Sequence, residues 1–235
     1  MKKHLLIILV IGLAWTNLAQ AATTKPKIAL TFDADMTASM LAKLNKGLEK
    51  SLYNQNIIQL LRQTKTPATI FITGLWAKKY PAAVKDIASD TLFEIGSHSY
   101  NHEGFTADCY GLGTLNQKDK ALDLAMSKTI LGQLTGHYPT LFRFPGGCSA
   151  PDDVKLVNQA GMTVVGWDFA SGDAFNTNTP AIIWNVLQKA KNGSIIVFHL
   201  SGGHYAPETA KALKTIIPAL KKRGFEFVKV SELLP

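Results

Sequence analysis

Short apolar runs alternate with longer amphipathic stretches along this 235-residue chain, and that alternation narrows what it can fold into. Ile28 to Phe32, Ala68 to Thr73, Thr91 to Ile95, Leu141 to Phe144, Met162 to Trp167, Ser194 to Phe198 and Phe225 to Val230 read as buried strands. Between them, residues 39–63 read as one or two helices. Pro81 to Ala88, residues 117–135 (stopped by Gly136), Pro151 to Ala160, Pro180 to Lys191 and Pro207 to Arg223 read as one helix each. Such β–α alternation calls for a mainly parallel sheet covered by helices, open or closed into a barrel. With 46% hydrophobic and 18% charged residues, the chain has enough apolar material for a sizeable core, which excludes disorder.

The first 21 residues stand apart from this pattern. Lys2-Lys3-His4, the apolar run Leu5 to Ala14 and the small-x-small triplet Ala19-Gln20-Ala21 have the layout of a secretory signal. The apolar run is too short to span a bilayer, which takes about 20 residues. The expectation is an exported protein, periplasmic or secreted, with a catalytic domain over residues 22–235 and no membrane span after cleavage. Cleavage removes Lys2 and Lys3 and lowers the formal charge from +8 to +6. The remaining basic residues fall in short clusters without interleaved aromatics, which excludes a nucleic-acid partner.

α/β folds place their chemistry where strands end. Asp33-Ala34-Asp35 follows the first strand, and two carboxylates at that spacing repel unless a cation joins them. His98-Ser99-Tyr100-Asn101-His102 follows the third and reads as two imidazoles one helical turn apart, a metal-ligand spacing. Residue 99 is Ser, so this is not a His-Glu-x-x-His metalloprotease motif. Arg143 enters the break Phe144-Pro145-Gly146-Gly147, Asp168 and Asp173 follow the fifth strand, and His199 closes the sixth. Cys109 and Cys148 each come shortly after one of these motifs, so in an exported protein they are placed to form a disulfide.

In their order these motifs resemble the polysaccharide deacetylase family, the carbohydrate esterase group with the NodB homology domain. The resemblance runs over roughly residues 27–234, from Thr31-Phe32-Asp33-Ala34-Asp35 to the ending Lys222 to Leu234. It implies a distorted (β/α)7-type barrel and metal-dependent hydrolysis of N-acetyl or O-acetyl groups on a glycan. It also implies one divalent metal, commonly Zn2+. Matched position by position, Asp33 is the catalytic base, Asp35, His98 and His102 the metal ligands, Arg143 the residue that orients the base, and His199 the catalytic acid. Either Asp168 or Asp173 supports that acid. Phe144, Gly146 and Gly147 form the turn that offers backbone N–H groups to the oxyanion and lines the substrate site. Three departures are visible. Ala34 separates two carboxylates that are usually adjacent, Asp173 is followed by Ala174-Phe175 rather than Trp, and Gly146 replaces a frequent bulky aromatic, which would widen that wall.

Residue chemistry supports the same reaction, because two histidines and one carboxylate leave a metal open positions for water and an acyl oxygen. The expected partner is an acetylated polysaccharide or oligosaccharide such as peptidoglycan or chitooligosaccharide. Of the aromatics near strand ends, Trp76, Tyr100, Phe105, Tyr110, Trp167 and Phe175 are candidates to stack on sugar faces. Other classes fit part of the pattern. They are a carbohydrate-binding protein with a residual metal site, a non-glycan amidohydrolase, and a non-haem iron oxygenase, the last opposed by the distance in sequence of Asp35 from the histidines.

Overall fold

The computed structural model describes residues 24–234, so the signal-like segment lies outside the described residues. Eight strands form one sheet: β1 (Lys27–Ala34), β2 (Ala68–Ile72), β3 (Phe93–Ser97), β4 (Leu141–Phe142), β5 (Thr163–Val164), β6 (Phe169–Ala170), β7 (Ile195–His199) and β8 (Glu226–Phe227). The order is β5-β4-β3-β2-β1-β7-β6, with β8 pairing the start of β1, and every pairing is parallel. β5 and β6 end the path unpaired with each other, so the sheet curls into a half-barrel rather than closing. The helices are α1 (Ala38–Asn45), α2 (Gln55–Gln63), α3 (Gly74–Lys79), α4 (Pro81–Ala88), α5 (Lys120–Thr135), α6 (Pro151–Gln159), α7 (Thr179–Lys189) and α8 (Thr209–Lys222). Among the described residues no helix is long and apolar enough to cross a membrane.

The two-residue period of a strand sorts β1 into two faces. Leu30, Phe32 and Ala34 point outward into the main core beneath the helices, with Ile70 and Ile72 of β2 and Ile196 and Phe198 of β7. The intervening positions point into the barrel. Ala29 packs there with Phe71, Leu141 and Val165 in a smaller apolar plug, and Thr31 and Asp33 continue the same face above it. Register then levels the strand ends. Asp33 pairs with Phe71 on one side and His199 on the other, while Ile72 pairs with Ser97 and Ser97 with Phe142. Asp35, His98 and Arg143 therefore leave their strands on one rim.

The structure bears out some of these boundaries and corrects others. Residues 39–63 form two helices, with the loop after Lys46, the C-cap of α1, between them. Of the strand expected from Met162 to Trp167 only β5 forms, and a second short strand, β6, follows after residues 165–168. Helix α3, only six residues long, carries no periodicity signal but is capped by Thr73, whose Oγ1 accepts the Trp76 N–H. Gly136 ends α5 in the left-handed conformation, at φ +81°.

Cys109 and Cys148 form a disulfide across 39 residues. Closing a loop of that length is worth about 4 kcal/mol through the unfolded state. Reduction, or the double substitution Cys109→Ser/Cys148→Ser, is expected to lower Tm by about 8–16 °C. Thermal melts followed by circular dichroism check this, and an unchanged Tm contradicts it.

Candidate active site

Asp33 and Asp35 lie two residues apart at the end of β1, so both carboxylates face the barrel mouth while Ala34 is buried in the core behind them. The separation that looks unusual in sequence therefore keeps both carboxylates on the same side. Arg143, fully buried, donates from Nη1 to Asp33 Oδ1 at 2.8 Å and to Thr31 Oγ1 at 2.8 Å. Its remaining donors reach the carbonyls of Gly166 and Val165, and its guanidinium lies 4.0 Å from the Phe71 ring centroid. Burial lowers the Arg143 pKa, and Asp33 counters that most strongly.

His98 and His102 do not sit on a helical turn. The backbone after β3 makes a loop with Ser99 at φ +66° and His102 at φ +61°, both left-handed. The His102 N–H donates to Ser99 Oγ at 3.0 Å, and the Tyr100 N–H donates to both oxygens of Asp123 on α5 at 3.0 Å. That loop, not helical spacing, brings the two imidazoles together edge to face, with centroids 4.9 Å apart. Asp35 Oδ1 lies 3.4 Å from His98 Nε2 and 3.3 Å from His102 Nε2. One ligand atom from each of the three residues falls within 4.8 Å of the others.

Two observations show that these residues suit a divalent cation. Asp35 Oδ1 is buried and accepts no hydrogen bond, a costly state for a carboxylate oxygen unless something else binds it. His98 Nδ1 is 2.8 Å from the Arg143 carbonyl and donates to it, which leaves Nε2 as the lone-pair nitrogen facing Asp35. The electrostatics agree. Burial opposes the Asp35 charge, but His102, His98 and His199 outweigh it and hold the carboxyl well below the usual carboxylate range. Burial likewise pushes His102 down against Asp35, whereas His98 is raised by Asp33 and Asp35 despite burial.

At the end of β7, His199 Nδ1 is 2.8 Å from Asp173 Oδ1, while Asp173 Oδ2 accepts the His199 backbone N–H at 2.8 Å and the Thr209 hydroxyl at 2.6 Å. Burial works against a charged His199, but the Asp173 charge and hydrogen bond outweigh it and raise the imidazole to about 10. His199 Nε2 faces Asp35 Oδ2 at 3.8 Å. Asp168 is not part of this group. It precedes β6 and accepts the Ile195 N–H at 2.8 Å, at the opposite end of β7 from His199. Of the two aspartates expected as support for the acid, only Asp173 reaches it.

The turn after Arg143 is also narrower in its options than its sequence suggests. Gly147 N–H donates to the Phe144 carbonyl at 2.9 Å, so it is spent within the turn. The N–H groups of Phe144 and Gly146 take no backbone acceptor among the described residues. Gly146 does not widen the wall. A Cβ there, at φ +60°, would meet Cys109 Sγ at 2.6 Å and Tyr110 Cδ2 at 3.1 Å, so the disulfide and Tyr110 occupy that volume. Among the six candidate stacking aromatics, Trp76 and Phe105 are buried core, Tyr100 and Trp167 are half-buried, and Tyr110 and Phe175 are exposed.

Thr31, Asp123 and Thr209 contact the site residues without having been singled out in sequence. Only Thr31, two residues before Asp33 on the same strand face, carried a signal that periodicity could have used. Burial raises the Asp123 carboxyl to about 7, against the backbone N–H groups of Tyr100 and Asn101 that favour its charge. Since its folded pKa lies above the ordinary 3.8, its contribution to stability is complete below about pH 4 and is lost as pH rises through about 7. The Tm of Asp123→Asn minus that of the wild type is therefore expected to grow from pH 5 to pH 8. Parallel Tm–pH curves contradict this.

The polysaccharide deacetylase family profile matches residues 20–165. A peptidoglycan-N-acetylglucosamine deacetylase of Bacillus cereus is 34% identical over 186 residues, covering 77% of this chain and 82% of the relative. A chitooligosaccharide deacetylase of Azorhizobium caulinodans is 26% identical over 187 residues, covering 72% and 82%. Among solved structures, the Bc1960 peptidoglycan N-acetylglucosamine deacetylase superposes with a TM-score of 0.75 at 27% identity, over 89% of this chain and 88% of that one. The sheet order, the rim constellation and these matches agree: this chain belongs to the polysaccharide deacetylase family.

Proposed function

We propose that this chain is an exported, metal-dependent glycan deacetylase that hydrolyses N-acetyl groups, a hydrolase acting on carbon–nitrogen bonds. Its leader would be residues 1–21 and its catalytic domain residues 22–235. The observation that carries the reading is the convergence of an Asp–His–His cluster, an Arg-held aspartate and an Asp-held histidine within one barrel mouth. The relatives' named substrates, peptidoglycan and chitooligosaccharide, support an acetylated glycan as the substrate class.

Asp35, His98 and His102 would hold the metal, and a divalent ion such as Zn2+ supplies Lewis-acid polarisation of the acetyl carbonyl and a more acidic water. Asp33 acts as general base. Arg143 occupies its Oδ1, which fixes the carboxylate and leaves Oδ2 turned toward His98 at 3.6 Å, where the attacking water would give up its proton. The Phe144 and Gly146 N–H groups are the free donors for the tetrahedral oxyanion. His199, protonated and steered by Asp173, donates to the departing sugar amine, so the C–N bond breaks with a neutral amine leaving. The orphan Asp35 oxygen supports a metal in the site, and the Arg-held Asp33 with the Asp-held His199 supports hydrolysis over a carbohydrate-binding protein with a residual metal site.

The test is acetate release from peptidoglycan, chitooligosaccharide and acetylxylan. Release from the first two and not from acetylxylan is expected. Release from acetylxylan alone moves the assignment to an O-acetyl esterase, and release from none overturns it.

A further inference from the structure

The turn that carries the two candidate oxyanion donors starts firmly and ends loosely. Arg143, its entry, is gripped at both backbone groups: the N–H donates to the Ser97 carbonyl at 2.9 Å, and the carbonyl accepts from His98 Nδ1 at 2.8 Å. Phe144 is buried edge to face against Phe105 and Phe142, and the Pro145 ring fixes its own φ. Gly146 and Gly147 follow, left-handed at φ +60° and φ +72°, and a Gly-Gly pair has the most backbone freedom to lose. The backbone hydrogen bonds that close this half are Gly147 N–H to the Phe144 carbonyl at 2.9 Å and Cys148 N–H to the Pro145 carbonyl at 3.3 Å.

The Cys109–Cys148 disulfide lies across that loose half. Cys109 Sγ is 3.5 Å from the Pro145 carbonyl oxygen, and Cys148 Sγ is 3.6 Å from the Gly146 carbonyl oxygen. Cys109 Sγ also takes the place of a Gly146 side chain, since a Cβ there would lie 2.6 Å from it. Cys109 is itself held from behind. The Leu112 N–H donates to its carbonyl at 2.9 Å, the Leu115 N–H closes the loop on the Gly104 carbonyl at 2.9 Å, and Phe105 anchors that loop on Phe142 and Phe144. We propose that the Cys109–Cys148 disulfide is a positioning group for the Gly146 N–H, so that full turnover belongs to the oxidised protein. This rests on the proposed deacetylase reading, which makes that N–H an oxyanion donor. A donor held in place needs no reorientation when charge develops, whereas a free Gly-Gly turn must be ordered first. The disulfide forms when two thiols pass two electrons and two protons to a disulfide-exchange partner, whose own disulfide becomes two thiols. A chain in a reducing compartment is therefore a slow enzyme, and export to an oxidising one speeds it up.

Reduced wild type, Cys109→Ser, Cys148→Ser and the double variant are compared with the oxidised wild type, well below the Tm of the reduced form. With chitooligosaccharide, kcat for acetate release is expected to fall about ten- to hundredfold, part of the roughly 10²–10³ that loss of a whole oxyanion donor costs. KM is expected to change less than about twofold, and zinc to stay at one per chain. Oxidised glutathione is expected to restore kcat to the reduced wild type and not to the serine variants. Independently of activity, the 15N order parameter of the Gly146 amide is expected to drop from about 0.85 to below about 0.6 on reduction, while that of Phe144 holds. A cross-link that acts only through the unfolded state lowers Tm and leaves kcat and the Gly146 order parameter unchanged, and that result overturns the proposal. Loss of kcat in step with loss of zinc overturns it too. The two readings fail separately. An oxidised wild type that releases no acetate sinks the deacetylase reading, and the order parameters still decide whether the disulfide orders the turn. Acetate release at equal kcat from reduced and oxidised protein sinks the positioning role alone.

Discussion

Asp33→Asn is expected to lower kcat for acetate release by about 10²–10⁴-fold, the usual range for loss of a general base, with metal content unchanged. The substitution keeps the size of the side chain and an oxygen for Arg143, whose Nη1 reaches Asp33 Oδ1 at 2.8 Å. It removes the basicity at Oδ2, the oxygen that faces the site. A mere disturbance of packing would instead appear as a lower Tm and as metal loss, since Asp33 lies beside the His98 imidazole. Steady-state kinetics with zinc analysis on the same preparation separate these effects. Full activity in Asp33→Asn would contradict its assignment as the base.

His102→Ala is expected to abolish both metal retention and acetate release. The side chain offers one of the three candidate ligand atoms, and no other His, Cys, Asp or Glu among the described residues joins that cluster. With two ligands left, the site falls below the three protein ligands that catalytic zinc sites use. The loop is braced by Asp123 and Ser99 through backbone N–H groups, so loss of the imidazole does not by itself unfold it. Equilibrium dialysis against Zn2+ and an acetate assay check both consequences. One equivalent of tightly held zinc in His102→Ala would contradict the ligand assignment.

How much of this was legible beforehand depended on whether the controlling physics was local. Alternation in β1 is local, so Asp33 and Asp35 could be placed at a strand end and Ala34 read as a spacer, although its burial appears only when the helices cover that face. His98 and His102 were legible as a pair but not in their geometry. Positive φ at Ser99 and His102 depends on Asp123 and on the Ser99 hydroxyl, and Asp123 lies more than twenty residues away in sequence. Asp168 and Asp173 looked equivalent because the apolar run from Met162 to Trp167 reads as one strand. The run ends early as β5, and the chain starts a new strand, β6, just after Asp168, which puts Asp168 at the foot of the sheet and Asp173 at the rim. Gly146 looked like a gap because its missing side chain is local, whereas the disulfide and Tyr110 that fill the space arrive from another loop.

The most direct test of the central claim strips the purified protein with chelator and follows acetate release from chitooligosaccharide as Zn2+ is added back. The account predicts no release from the stripped protein and recovery that saturates at one zinc per chain, with Asp35→Ala showing no recovery. Undiminished release from the metal-free protein, or recovery equally complete in Asp35→Ala, would contradict it.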